Sequence, residues 1–155
     1  MSASLPREGR LAGVDFGTVR IGIAISDARQ TLASPLDNYS RGAADQDAKY
    51  FLKLAKAEAL VGFVVGLPIH MSGEESQKSK QARAFGKWLS EATGLPVDFH
   101  DERYSSVIAD DLMAAGQLTK KQRDKRRDML AAQVILASYL ESTGRGGGPQ
   151  ALDDR

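Results

Sequence analysis

Leu11-Ala-Gly-Val-Asp-Phe-Gly17, then Thr18-Val19, then Arg20-Ile-Gly-Ile-Ala-Ile-Ser26 is the stretch that decides the fold. Both runs are short, apolar and rich in Val or Ile, and a Gly-Thr turn separates them. They read as a β-hairpin. Asp15 is the only charge in the first run. An unpartnered carboxylate in a buried strand costs several kcal/mol or so, or keeps its proton. A cation or a proton partner that meets Asp15 accounts for its presence. Gly17, two residues on, leaves room for a ligand to approach the backbone. The end of the first strand is therefore where chemistry is expected.

The segments that follow extend this hairpin into a sheet. Thr31 to Tyr39 reads as a third strand, and Pro35 places it at an edge. Ala43 to Ala57 carries Tyr50, Phe51, Leu54 and Ala55 at helical spacing. Ala59 to Gly66 is a near-continuous apolar run, typical of a parallel strand buried on both faces. Glu74 to Thr93 has Ala82, Phe85, Trp88 and Leu89 at helical intervals, and Gly94 stops it. Pro96 to Glu102 reads as another strand. Ser105 to Ala115 reads as a helix capped by Ser105 or Ser106 and stopped by Gly116. Thr119 to Gln122 has capping-box spacing and reads as a short turn. Asp128 to Thr143 is the clearest amphipathic helix. The order β-β-β-α-β-α-β-α-α builds an α/β fold with one mixed five-stranded sheet: three antiparallel strands, then parallel β-α-β units, with helices on both faces. The first strand is expected in the centre, beside the second and the long apolar strand. Residues 1–10 read as an N-terminal extension, 11–143 as the domain and 144–155 as a flexible tail.

The chain has 155 residues, 42% hydrophobic and 26% charged, as expected of one soluble domain. With no cysteine, disulfides, zinc-thiolate sites and thiol nucleophiles are excluded. The first ten residues lack the apolar run of a signal peptide, and no later stretch is long enough to span a bilayer. Cytoplasmic residence fits. The net charge of +1 conceals the run Thr119 to Arg127, TKKQRDKRR, with six basic residues in nine. It reads either as a solvated turn or as a surface for phosphate backbones.

Two further acidic sites stand out: Asp101-Glu102 at the end of the last strand, and Asp128 at the expected start of the terminal helix. Ligands of α/β sheets collect beyond the carboxyl ends of parallel strands. Asp15 and Glu102 lie at such ends, and a helix crossing there adds Asp128. Three carboxylates around one point repel unless divalent cations neutralise them. Oxygen-only ligands suit Mg²⁺ or Mn²⁺, and two such ions can activate water and stabilise the leaving oxygen of a phosphodiester. Plainer roles stand beside each of these. Asp15 could pair with Arg20 across the hairpin. Asp101 could cap the next helix. Glu102 could pair with Arg103 or a lysine. Asp128 could answer the dipole of its helix. His70 and His100 read as surface or packing residues, and Phe85 and Trp88 as helix core.

Val14 to Asp27 (VDFGTVRIGIAISD), Val64 to Gly73 (VVGLPIHMSG), Asp101 to Ser106 (DERYSS) and Arg126 to Glu141 (RRDMLAAQVILASYLE) together resemble the bacterial pre-16S rRNA nuclease family. These are the YqgF or RuvX proteins, similar to Holliday-junction resolvases. The resemblance runs from about Leu11 to Ser142. It implies an RNase H-like fold and a Mg²⁺- or Mn²⁺-dependent endonuclease that matures the 5′ end of 16S rRNA in the cytoplasm. It also implies that Asp15, Glu102 and Asp128 are catalytic and hold the metal. Arg20, Arg103, Lys120, Lys121, Arg126 and Arg127 would then contact phosphates of the RNA. The chain departs from the family pattern at His70, Ser72 and Tyr104, in segments expected to face substrate. Two other functions stay open beside this one: cleavage of branched DNA, and nucleic-acid binding in ribosome assembly without turnover. A phosphotransferase of the actin and sugar-kinase type fits less well, because those enzymes clamp ATP between two such domains.

Overall fold

The computed structural model describes residues 5–69, 72–102 and 120–145, with side chains in the last segment described from Arg127 onward. The hairpin forms as expected: β1 (Arg10–Asp15) pairs antiparallel with β2 (Arg20–Ser26), in the register that sets Asp15 opposite Gly22. Strand β3 (Ala33–Ser40) pairs antiparallel with β2 and forms an edge, where Pro35 is tolerated beside a register shift. The apolar run becomes β4 (Leu60–Leu67), parallel to β1, and β5 (Val97–Asp101) lies parallel to β4. The sheet order is β3-β2-β1-β4-β5, with β1 central.

Strand alternation divides the core in two. Helices α1 (Ala44–Ala57) and α2 (Gln77–Thr93) lie over one face. There Phe51, Phe85 and Leu89 bury Ala12, Val14, Ile21, Ile23, Phe63 and Val65. Phe85 is buried and Trp88 packs beside it, as core residues. Ser76 caps α2 by accepting from the Ser79 amide at 3.0 Å, and Gly94 ends it with φ of 73°.

On the other face lies α3 (Lys120–Ser142). Its stripe Ala132, Ile135, Leu136, Tyr139 and Leu140 repeats every three or four residues and covers Leu11, Ala24 and Val64. The helix approaches closely because glycines line its bed. A methyl group at Gly13 would meet Leu136 Cβ at 2.7 Å, and one at Gly66 would meet Ile135 Cδ1 at 2.5 Å. One at Gly22 would collide with the backbone carbonyl of Asp128.

The terminal helix differs from expectation at its start. It begins at Lys120 rather than at Asp128, so the run expected to form a short turn is helical. Asp128 lies eight residues inside α3, too far in for the dipole role considered for a helix-start acid. It continues the buried stripe one turn before Ala132. The helix expected over 105–115 lies outside the described residues. Packing also reaches past the expected limits of the domain. Leu5 is buried, and Arg145 Nη2 donates to its carbonyl at 2.7 Å. No helix among the described residues is long and apolar enough to cross a membrane.

Candidate active site

Because β1, β4 and β5 are parallel, their carboxyl ends lie along one edge of the sheet. Beyond that edge is a cleft of about 420 Å³, between the start of α2 and the middle of α3. Asp15, Glu102 and Asp128 all line it. Each arrives by a different route. Asp15 ends the buried β1, on the same strand face as Leu11 and Gly13, which meet α3. Glu102 follows β5, with an oxygen that a methyl group at Gly66 would meet at 3.1 Å. Asp128 is held by the seating of its own backbone on Gly22, the cross-strand partner of Asp15.

The electrostatics follow from this convergence. The Asp15 carboxyl is raised from 3.8 to about 7: burial contributes most, the charges of Glu102 and Asp128 add to it, and Lys78 opposes them. Burial, then Asp101, also raises Glu102. The donors are all carboxylate oxygens, which suit a hard divalent cation, and crowding of like charge is the condition such a cation relieves. By chemistry the residues fit Mg²⁺ or Mn²⁺. Among the described residues no three His, Asp or Glu side chains lie close enough together to hold an ion as they stand.

Several expected partners fall elsewhere. Arg20 lines the cleft, but its Nε donates to Asp128 Oδ2 at 3.3 Å rather than pairing with Asp15. Gly17 also lines the cleft, but the turn itself requires it, since a methyl group there would collide with the Arg20 carbonyl. Asp101 lines a separate hollow between α2 and β5, with Arg83, Lys87 and Phe99. His100 is a packing residue, as expected: it is buried and its Nε2 lies 2.8 Å from Ser138 Oγ on α3. Burial holds its imidazole below the usual value, against the opposing charges of Asp101 and Asp98. Lys120, Lys121 and Arg126 have helical backbones in α3, and Arg127 is exposed. Arg103, His70 and Tyr104 lie outside the described residues. Lys78, Gln81 and Thr18 line the cleft and were not anticipated. The spacing of 78, 81 and 82 on one helix face was legible, but not which face met the acids.

Among solved structures, T. thermophilus RuvC in complex with a Holliday junction substrate matches 89% of this chain and 98% of its own, with a TM-score of 0.57 and 15% identity. The yeast mitochondrial Holliday junction resolvase Ydc2 matches 92% of this chain and 82% of its own, with a TM-score of 0.55 and 10% identity. The five-stranded order with helices on both faces is thus the RNase H-like fold of the resolvases. At the level of sequence, a family model described as "RuvX: Holliday junction resolvase" matches residues 9–142. A Rhodopirellula baltica protein named "Putative pre-16S rRNA nuclease" is 50% identical over 137 residues, 88% of this chain and 79% of that protein. A Paracoccus denitrificans protein of the same name is 41% identical over 138 residues, 89% and 87% of the two chains. The chain belongs to the RuvX family.

Proposed function

We propose that this protein is a metal-dependent endonuclease that hydrolyses RNA phosphodiesters and acts in the cytoplasm on the 5′ end of pre-16S rRNA. The observation that carries the chemistry is the meeting of Asp15, Glu102 and Asp128, from three distant segments, in one cleft beyond the strand ends. The names of the relatives carry the substrate. Mg²⁺ or Mn²⁺ bound by these acids would supply a nucleophilic water and charge neutralisation at the leaving oxygen. Asp15, which feels the charges of both other acids, would be the central ligand. The buried β1 and the glycine bed under α3 fix the backbones of Asp15 and Asp128 at the cleft, and a bound cation would draw the three side chains together. Arg20, over half exposed, is placed to exchange Asp128 for a substrate phosphate at the mouth of the cleft. Arg103, Lys120, Lys121, Arg126 and Arg127 would hold the flanking RNA without reading its sequence.

The description of the matching family model favours a second reading, cleavage of branched DNA. Matched pre-rRNA and four-way-junction substrates, incubated with and without Mn²⁺, separate the two. Wild type should cut the RNA only with metal, and Asp15→Asn should cut neither substrate. Cleavage of the junction with the RNA left intact would transfer the function to DNA. Cleavage by Asp15→Asn at the wild-type rate would refute the mechanism.

A further inference from the structure

We propose that Lys78 is a substrate-contacting residue, whose ammonium takes a non-bridging oxygen of the phosphate that enters between α2 and the three acids. The inference rests on the reading of the cleft as a site for a nucleic-acid phosphodiester. Lys78 is the second residue of α2, and it lines the cleft with Gln81 and Ala82, one turn further along the same face. The acids arrive from β1, β5 and α3, so Lys78 stands on the wall facing them. Its charge reaches them, for it opposes the rise of the Asp15 carboxyl.

The helix that carries Lys78 does not itself call for a cation at this position. The amino end of a helix disfavours positive charge, and the first turn of α2 contains no acid to offset it. Glu75, three residues earlier, is already taken: it accepts from Arg83 at 2.6 Å and from the Ser79 hydroxyl. Among the described residues Lys78 has no hydrogen-bond or ion-pair partner. Arg20, the other cation lining the cleft, is bonded to Asp128. A phosphodiester carries negative charge into a cleft walled by three acids. A free ammonium at the start of a helix, opposite those acids, meets that charge with both its own field and the helix dipole.

The test uses the full chain in an Asp15→Asn background, so that substrate survives the titration. Binding of a single-stranded RNA spanning the pre-16S 5′ junction is followed by fluorescence anisotropy across a salt series. Lys78→Ala should bind about tenfold more weakly. Its log–log salt slope should be shallower by roughly 0.7, the value for one phosphate contact. Lys78→Arg should restore both. In the otherwise wild-type chain with Mn²⁺, Lys78→Ala should lower kcat/KM by about the same factor, with an unchanged thermal midpoint. An unchanged slope together with unchanged cleavage would overturn the proposal. A four-way DNA junction, titrated in parallel, separates this proposal from the RNA reading. If the parent binds only the junction and Lys78→Ala flattens that slope by roughly 0.9, the phosphate contact stands and the RNA assignment falls. If the parent binds neither polymer, both fall.

Discussion

Replacing Asp15 with Asn should stabilise the metal-free protein, by an amount that grows with pH. In the folded chain the Asp15 carboxyl titrates at about 7 against 3.8 for an ordinary aspartate, a rise of about three units. At about 1.36 kcal/mol per unit, ionised Asp15 destabilises the fold by up to about 4 kcal/mol. The sign follows from proton binding. Between pH 3.8 and about 7 the folded state holds a proton that the unfolded state has released, so stability falls as pH rises through this window. Below it both states are protonated and the contribution vanishes. Above it both are ionised and the full cost remains. Asn carries no titrating proton and is nearly isosteric with the protonated acid. The stability difference between variant and wild type should therefore be near zero at about pH 4 and reach its maximum by about pH 8. Urea denaturation in EDTA at intervals across this range measures it. Adding Mg²⁺ should then stabilise wild type by mass action, about 2.7 kcal/mol at one hundred times the dissociation constant, and leave the variant unchanged. A pH-independent difference would show that Asp15 is neither buried nor crowded as described.

Three further outcomes are expected. Gly22→Ala places a methyl group against the Asp128 carbonyl, so it should cost about 1–3 kcal/mol and reduce cleavage even where the variant is fully folded; wild-type stability in urea would contradict the close seating of α3. Ser138→Ala removes the partner of the buried His100 Nε2 and should destabilise by about 1–3 kcal/mol, measured by thermal unfolding. Replacing Lys120, Lys121, Arg126 and Arg127 together with Ser should flatten the salt dependence of RNA binding by roughly 0.7 per lost contact while metal affinity is kept; equal slopes would make the run a solvated helix surface.

Sequence periodicity by itself determined where the strands and their buried faces lie. Alternation within 11–26 specifies a hairpin, the unbroken apolar run after Ala59 requires a strand covered on both faces, and Gly94 marks the end of α2 by adopting the left-handed conformation that glycine tolerates. Asp15 was legible for the same reason, since a charge inside an apolar strand is a local anomaly. The beginning of α3 was not legible, because residues 120–127 are polar throughout and carry no amphipathic signal to extend the helix backward from Asp128. What surrounds the acids was decided by tertiary structure. The Arg20 to Asp128 bond spans 108 residues, Gly22 matters only because a helix from the far end of the chain lies on it, and Lys78 faces acids supplied by other segments. Local patterns record which face of each segment is buried. Which faces meet depends on strand order and helix docking, and those are set by the packing of segments remote in sequence.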